Sequence, residues 1–355
     1  MPPHRRTETP IARAALVPAL LALALLAGLG GRAWARPFTD AAGRTVELPD
    51  RVARVVAAGP PASVLLYTLA PEKMAGWVRS PSPEERPFLA RATWNLPATG
   101  RLTGRGGTAD VEAVLALKPD LIVDVGATGP TYASLADRVQ AQTGIPYILL
   151  DGTFGRTADT YRQLGALLGE AEAATALAAY AERVVDEVAE RIGKVPEAER
   201  PRVYYARGPR GLETGFSGSI NTEILDVVGA RNVATGGNGL SNVSAEQVLA
   251  WNPDVIVALD PAFRPAPSDP LWGAVKAVRD GRVHHTPALP FAWFDAPPGV
   301  NRLIGVRWLA RLLYPALFPE PLPTVVADFY ARFYHVALDP AQVEALLAGA
   351  VPARR

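Results

Sequence analysis

The chain has 355 residues, of which 49% are hydrophobic and 20% are charged, a balance typical of a soluble globular protein. Its length favours two domains of about 150 residues each over a single core. It contains no cysteine, which excludes thiol catalysis, Cys-ligated zinc or iron–sulfur sites and the lipid-bearing cysteine of a bacterial lipoprotein.

The first 35 residues have the features of a secretory signal peptide. Three arginines precede an uncharged run rich in Leu and Ala, and Ala33-Trp34-Ala35 fits the small-x-small pattern of a signal peptidase site. We therefore predict cleavage after Ala35 and a periplasmic location, with the export route, Sec or twin-arginine, left open. The alternative is an uncleaved membrane anchor, which Pro18 and several glycines disfavour in a run barely long enough to span.

Cleavage at this point changes the charge of the protein. It removes four arginines and one glutamate, which takes the formal net charge from +1 to −2. A nearly neutral protein lacks the basic surface that nucleic acids require, so no nucleic-acid partner is expected.

Buried strands alternate with helices along the rest of the chain. The strand candidates of the first half are residues 54–58, 121–125 and 147–150, and those of the second half are residues 203–206, 255–259 and 282–286. Apolar, β-branched runs that alternate with helical segments predict parallel α/β sheets. Between the halves, residues 157–192 lack proline and place apolar residues at helical spacing, with Gly169 as a candidate break.

A motif in the first half recurs in the second half. Glu112-Ala-Val-Leu-Ala-Leu-Lys-Pro-Asp120-Leu-Ile-Val123 is matched by Glu246-Gln-Val-Leu-Ala-Trp-Asn-Pro-Asp254-Val-Ile-Val257 at a constant offset of 134 residues. Each copy predicts a short helix, a Pro-Asp break and a buried strand. Copies that far apart indicate two similar domains and not a solenoid.

Motifs of the common enzyme classes are absent from the sequence. There is no G-x-x-x-x-G-K-[ST] phosphate loop, no H-E-x-x-H zinc motif and no G-x-S-x-G nucleophile elbow. His284 and His285 are neighbours in a predicted strand, where their side chains face opposite sides and are poorly placed to bind one metal together. We predict no catalytic residues, no resident metal and no cofactor.

The two motif copies resemble the paired signatures of the periplasmic substrate-binding proteins of ferric-siderophore, haem and cobalamin importers, and residues 229–233 and 280–284 are also similar to that family. The resemblance implies an α/β fold of two Rossmann-like lobes with parallel sheets, joined by a single long helix, with the ligand cleft between them. The corresponding segments are a signal peptide over 1–35, an N-terminal lobe over 36–156, a linking helix over 157–195 and a C-terminal lobe over 196–355.

The resemblance also implies a partner, an ABC permease of the inner membrane. One glutamate from each lobe, Glu112 and Glu246, would pair with arginines of that permease. The alternative is a local role, because each glutamate lies in the first turn of its helix, where the helix dipole favours a carboxylate.

The cargo site is predicted on the loops that follow the strands and face the cleft. A guanidinium fork suits carboxylate, catecholate or oxyanion groups, and an aromatic face suits a flat chelate. The predicted ligand-binding residues are Trp77, Arg79, Arg105, Arg207, Trp293, Phe294, Asn301 and Arg302. Two alternatives are an aromatic plug closing the lobe for Trp293 and Phe294, and a metal ligand or turn cap for Asp295.

These features predict a monomeric substrate-binding component of an ABC importer that carries an iron chelate, such as a ferric siderophore. Alternative cargoes within the same family are cobalamin, haem, a nickel complex, and molybdate or tungstate. A chelatase-like or nitrogenase-like enzyme subunit is disfavoured by the missing cysteines and the export signal. A surface adhesion module would not need two matched glutamate motifs.

Overall fold

A computed structural model of the protein describes residues 36–103 and 110–349. The predicted signal peptide over 1–35 and the predicted ligand-binding residue Arg105 lie outside the described residues. None of the helices within the described ranges combines the length and the apolar character that a bilayer crossing needs.

The strands of the described chain form two parallel sheets and two antiparallel pairs. They are β1 (Arg36–Thr39), β2 (Thr45–Leu48), β3 (Val55–Ala57), β4 (Leu121–Gly126), β5 (Tyr147–Asp151), β6 (Arg202–Ala206), β7 (Glu213–Gly215), β8 (Arg231–Asn232), β9 (Leu240–Asn242), β10 (Val255–Ala258) and β11 (Val283–His285). The first parallel sheet has the order β3-β4-β5 and the second has the order β11-β10-β6-β8. The small antiparallel pairs are β1-β2 and β7-β9.

The repeated motif occupies the same place in both parallel sheets. Strand β4 lies between β3 and β5, and β10 lies between β6 and β11. Leu121 is the register partner of Val55, and Val255, at the matched position of the repeat, is the register partner of Val203. All six predicted strands are present, which confirms a parallel α/β arrangement in each half.

The helices cover the sheets and connect them. They are α1 (Pro60–Leu69), α2 (Val111–Ala116), α3 (Pro130–Thr143), α4 (Thr157–Leu168), α5 (Ala171–Ile192), α6 (Glu223–Val227), α7 (Ala245–Trp251), α8 (Lys276–Arg279), α9 (Arg302–Leu313), α10 (Leu322–Phe333) and α11 (Pro340–Leu347).

Helix α5 is the long helix between the two halves, and it begins at Ala171, just after the predicted break at Gly169. Gly169 ends the preceding helix α4 with a φ of 77°, a left-handed conformation that glycine adopts at little cost. Helix α5 buries a stripe at helical spacing that includes Leu177, Ala181, Val184 and Val188. The domain boundaries 36–156, 157–195 and 196–355 stay predictions.

The C-terminal helices widen the connection between the two lobes. The side chains of α10 share one hydrophobic cluster with strands of both sheets and with α5. Tyr67 of α1 donates a hydrogen bond of 2.5 Å to the carbonyl oxygen of Tyr334 and accepts one of 2.8 Å from the backbone N–H of Ala90. The lobes are therefore held together by a continuous core as well as by the long helix.

Candidate functional site

A cleft of about 550 Å³ lies between the two lobes, beyond the carboxyl ends of the parallel strands. One wall comes from the first turn of α1 and from the segment 77–101. The other wall comes from Arg207, which directly follows β6, from Asn221 and from the loop 290–298. Open α/β folds place their ligands at this edge of the sheet, and the sequence predicts the site there.

Two pairs of prolines meet at the floor of the cleft, one pair from each lobe. Pro60 and Pro61 are the first residues of α1, and Pro297 and Pro298 lie in the facing loop. A Cβ atom on Gly299 would lie only 3.8 Å from Pro61 of the other lobe. Proline has no N–H and a fixed φ, so the floor is stiff and offers few backbone donors.

Ser63 lines the same region of the cleft and was not predicted as a site residue. It is buried, and its hydroxyl has no hydrogen-bond partner among the described residues. A buried hydroxyl without a partner is costly, so this group is available to bind cargo.

The strongest polar feature of the cleft is an ion pair between Arg207 and Asp295. Nη1 of Arg207 lies 2.5 Å and 2.6 Å from the two carboxylate oxygens of Asp295. Nε of Arg207 donates to Glu213 at 3.1 Å. Tyr205 and Asn221 donate to Asp295 at 2.5 Å and 2.7 Å.

Burial sets the electrostatics of this ion pair. The Asp295 side chain is fully buried and the Arg207 side chain is 17% exposed. Burial raises the pKa of Asp295, and the charge of Arg207 and the bonds from Tyr205 and Asn221 oppose that rise. Burial lowers the pKa of Arg207, but the neighbouring Asp295 and Tyr205 more than offset this, so Arg207 stays charged.

Arg207 lines the cleft. Within residues 36–103 and 110–349, its hydrogen bonds use Nε and Nη1 and none uses Nη2. A fixed, half-desolvated guanidinium of this kind is suited to bind an anion.

The opposite wall contributes a second arginine and aromatic rings. Arg79 pairs with Glu85 through both of its terminal nitrogens, and the Arg79 side chain is 66% exposed. Trp77 donates its indole N–H to the carbonyl oxygen of Thr93 at 2.8 Å, and its ring lies 6.2 Å from that of Phe291. The structure thus brings the predicted residues Trp77, Arg79 and Arg207 together around one cleft.

Trp293 and Phe294 do not line the cleft, which corrects their predicted placement. Both are fully buried. The Trp293 indole donates to the hydroxyl of Tyr330 at 3.2 Å, and the Phe294 ring stacks on Tyr205 with centroids 3.9 Å apart. Their positions match the alternative of an aromatic plug, which places Asp295 beneath Arg207.

Asn301 and Arg302 are also buried away from the cleft, although the sequence predicts them as ligand-binding residues. Asn301 donates to the carbonyl oxygens of Ala292 and Pro297 and so fixes the loop that contains Asp295. Arg302 is 2% exposed. Internal hydrogen bonds occupy the Arg302 guanidinium and the amide nitrogen of Asn301, whose Oδ1 is buried without a partner among the described residues.

Arg302 ties the two lobes together. It donates at 2.9 Å to the carbonyl oxygen of Gly152 in the first half, and at 2.8 Å to Glu223 in the second half. Glu223 in turn accepts from the backbone N–H of Phe154 at 2.9 Å. We call these four residues the cross-lobe tie.

Asp295 accepts no hydrogen bond from a backbone N–H among the described residues, so it does not cap a turn there, and its role as a metal ligand stays a prediction. Its carboxylate is engaged by Arg207, Tyr205 and Asn221. Within residues 36–103 and 110–349, no group of three or more His, Cys, Asp or Glu side chains is placed to hold a metal ion.

The two predicted docking glutamates lie on exposed helix surfaces. Glu112 is in the first turn of α2 and Glu246 in the first turn of α7. Asp110 and Ser244 cap these helices by accepting backbone N–H bonds. The Glu246 carboxylate also takes part in its first turn, where hydrogen bonds from its own backbone N–H and from Ser244 lower its pKa.

A family model described as periplasmic binding protein matches residues 82–289 of the chain. The molybdate-binding protein MolA of Haemophilus influenzae is 28% identical over 90% of this chain and 97% of that protein. These matches agree with the family resemblance of the two motif copies.

Solved structures are similar over nearly the same span. An ABC transporter solute-binding protein of Sulfurospirillum deleyianum has a TM-score of 0.80 and 29% identity, covering 88% of this chain and 99% of that chain. MolA of Haemophilus influenzae bound to molybdate has a TM-score of 0.71 and 25% identity, covering 86% and 99%. The predicted α/β fold is confirmed.

Proposed function

Because this chain belongs to the periplasmic binding protein family, we propose that it captures an anionic, metal-containing solute outside the cytoplasm and delivers it to an ABC permease. The main support is Arg207, which lines the cleft and is held in place by Asp295 and Glu213. Arg79 and Trp77 on the opposite wall are the other proposed ligand-binding residues. The described residues of the cleft offer charged and polar groups that can bind a ligand. The similar proteins are named as solute-binding or molybdate-binding proteins, which agrees with this role.

The leading cargo is a tetrahedral oxyanion of the molybdate or tungstate class. A relative of nearly full length is named as a molybdate-binding protein. An oxyanion needs a few fixed donors, and Arg207 provides them together with the Ser63 hydroxyl, which has no partner in the described part of the chain. The sequence alone favours an iron chelate as cargo. Because the relative of nearly full length is named for molybdate, we propose the oxyanion first and the iron chelate second.

An anionic iron chelate is the second candidate, and the shape of the cleft supports it. A volume of about 550 Å³ is in the usual range for sites that enclose an organic ligand. The half-buried ring of Phe291, with the buried ring of Trp77 packed beside it, offers an apolar contact for a flat chelate.

A ligand panel on the mature protein separates the two cargo classes. It consists of molybdate, tungstate, sulfate, phosphate, a ferric catecholate, a ferric hydroxamate, haem, cobalamin and nickel–histidine, measured by thermal unfolding and then by calorimetric titration. A ligand at a hundred times its Kd stabilises the fold by about 2.7 kcal/mol. We expect molybdate and tungstate to do so and sulfate not to.

The other outcomes of the panel are equally informative. Stabilisation by a ferric chelate alone would favour the second candidate. An unchanged unfolding temperature with every member of the panel would contradict the proposal of a metal-containing cargo.

Delivery is proposed to use Glu112 and Glu246 as contacts for cationic side chains of the permease. Both are exposed, and they occupy matched positions of the repeat. Reversing both charges should abolish uptake in cells while leaving cargo binding by the purified protein intact. If the purified variant no longer binds cargo, Glu112 and Glu246 belong to the cargo site and not to a permease-docking surface.

A further inference from the structure

Two exposed leucines lie next to the proposed docking glutamates. Among the described residues, the exposed large hydrophobic side chains are Leu115 at 40%, Tyr132 at 39% and Leu249 at 36%. Leu115 and Leu249 occupy matched positions of the repeat, at the same offset that relates Glu112 to Glu246. The two lobes thus expose the same apolar residue at the same place.

Each leucine shares a helix face with its glutamate. Residues three apart on a helix are neighbours on its surface, which applies to Glu112 with Leu115 and to Glu246 with Leu249. The opposite face of each helix is anchored in its lobe by a fully buried valine, Val114 or Val248.

The two helices are also held in the same way. Asp120 accepts hydrogen bonds of 2.8 Å from the backbone N–H groups of Ala53 and Arg54, at the start of the neighbouring strand. Asp254 accepts one of 3.0 Å from Arg202, at the matched strand of the other lobe. Each Glu–Leu pair is therefore presented on a rigidly mounted helix.

We infer from the direction of the two helices that these pairs lie toward the cleft edge of the sheets. The carboxyl end of each helix lies beside the amino ends of the strands, where the aspartates bind. A crossover helix runs antiparallel to the strand that it enters, so its first turn points toward the carboxyl edge of the sheet, which borders the cleft. A partner that spans the cleft mouth contacts both pairs at once, and a cargo molecule inside the cleft contacts neither.

We propose that Leu115 and Leu249 form the apolar centres of two matched contacts with the permease, each bordered by a glutamate that pairs with a cation. This inference rests on the proposed delivery to a permease. The partner surface has two equivalent patches, each with an apolar recess beside an arginine or lysine. Interfaces place apolar side chains at the centre of a contact and charges at its rim.

The two residue types should affect different rate constants. Rim charges accelerate association and make it depend on salt, whereas buried apolar contacts slow dissociation. Leu115→Ala and Leu249→Ala should each raise the dissociation rate constant about tenfold and the double variant about a hundredfold, with the salt dependence unchanged. Glu112→Gln and Glu246→Gln should lower the association rate constant and flatten its salt dependence.

The test measures binding of each purified variant to the cognate permease in nanodiscs by surface plasmon resonance at two salt concentrations. Tyr132→Ala is the matched control, since Tyr132 is as exposed as the leucines but has no counterpart in the repeat. It should leave both rate constants unchanged. The thermal unfolding midpoint of each variant checks that the fold is intact.

The results separate the inference from the proposed function. Normal dissociation of both leucine variants, with slow association of the glutamate variants, would overturn the role of the leucines and leave permease docking intact. Normal binding by the leucine and glutamate variants alike would remove the proposed docking face altogether. An equal effect of Tyr132→Ala would show that the leucines are not specific.

Discussion

The two lobes match closely on their outer helices and differ at the cleft. Outside, Val114 and Val248 are buried alike, and Asp120 and Asp254 bind the starts of neighbouring strands alike. At the cleft, the N-terminal wall has an arginine paired with a nearby glutamate, and the C-terminal wall has a buried ion cluster. The two copies of the repeat therefore match on the surface that is proposed to contact the permease, and the cleft walls differ in the groups that they offer to a solute.

The two cleft arginines show what the divergence means physically. Arg79 pairs with Glu85, six residues away, and its side chain is 66% exposed. Arg207 pairs with Asp295, which lies 88 residues away and is fully buried. An exposed pair is screened and rearranges easily, whereas a buried pair holds its geometry. Of the two proposed contacts with the cargo, Arg207 is thus held in one position, and Arg79 is free to rearrange.

The largest expected effect is on the free energy of unfolding and concerns Arg302. This arginine is buried and holds the lobes together, whereas Arg79 and Arg207 line the cleft. Arg302→Met should lower the free energy of unfolding by about 3–5 kcal/mol, because it removes a buried charge that binds Glu223 and backbone carbonyls of both lobes. Urea denaturation measures the loss. Arg162→Met, in an exposed pair with Glu182, is the control and should unfold like the wild type. Equal stabilities would show that the cross-lobe tie contributes nothing.

Arg207→Ala should weaken cargo binding about a hundredfold, equivalent to about 2.7 kcal/mol, since it removes the fixed donor of the cleft and leaves Asp295 buried without its cation. Calorimetric titration with molybdate measures the change. Arg207→Lys keeps the charge without the fork and should give an intermediate Kd. A wild-type Kd in Arg207→Ala would mean that cargo does not touch this wall.

Arg79→Gln should weaken binding of the same ligand about fivefold, because a contact between an exposed side chain such as Arg79 and an anion contributes about 1 kcal/mol or less. The unfolding midpoint should not change. If the loss equals that of Arg207→Ala, the two walls are equivalent and the contrast between them fails.

The smallest expected effect is on the pH dependence of binding. Burial raises the pKa of Asp295, so it takes up a proton at a higher pH than an exposed aspartate does. Protonation removes the negative charge that neutralises Arg207, so the affinity for an anion should rise a few-fold as the pH falls through that pKa. Asp295→Asn should lose this part of the pH dependence. The same slope in both proteins would assign it to the cargo or to another group.

The sequence predicts the fold better than the site because the two depend on contacts of different range. The buried strands and the break at Gly169 follow from local patterns, and their predicted boundaries agree with the structure. The repeat also predicts the two motif strands correctly, because each copy has the same helix, Pro-Asp break and apolar run in its local sequence.

The errors at the site involve partners far away in the chain. Arg302 binds Gly152, 150 residues away, and nothing local distinguishes it from an arginine that lines the cleft. Trp293 and Phe294 lie in a proline-rich loop whose composition suits an aromatic wall and an internal plug equally. Among the residues missed, Glu85 had a local signal, since it follows Arg79 by six residues. Ser63 had none.

The cross-lobe tie has a mechanical consequence. Gly152 and Phe154 on one side, and Glu223 and Arg302 on the other, join the lobes along the closed side of the cleft, where Pro61 also packs near Gly299. These hydrogen bonds join the lobes directly, so a large change in their relative position would have to break them. We therefore expect the cleft to change little in width when a solute binds, and release would depend on force that the permease applies at the proposed docking helices.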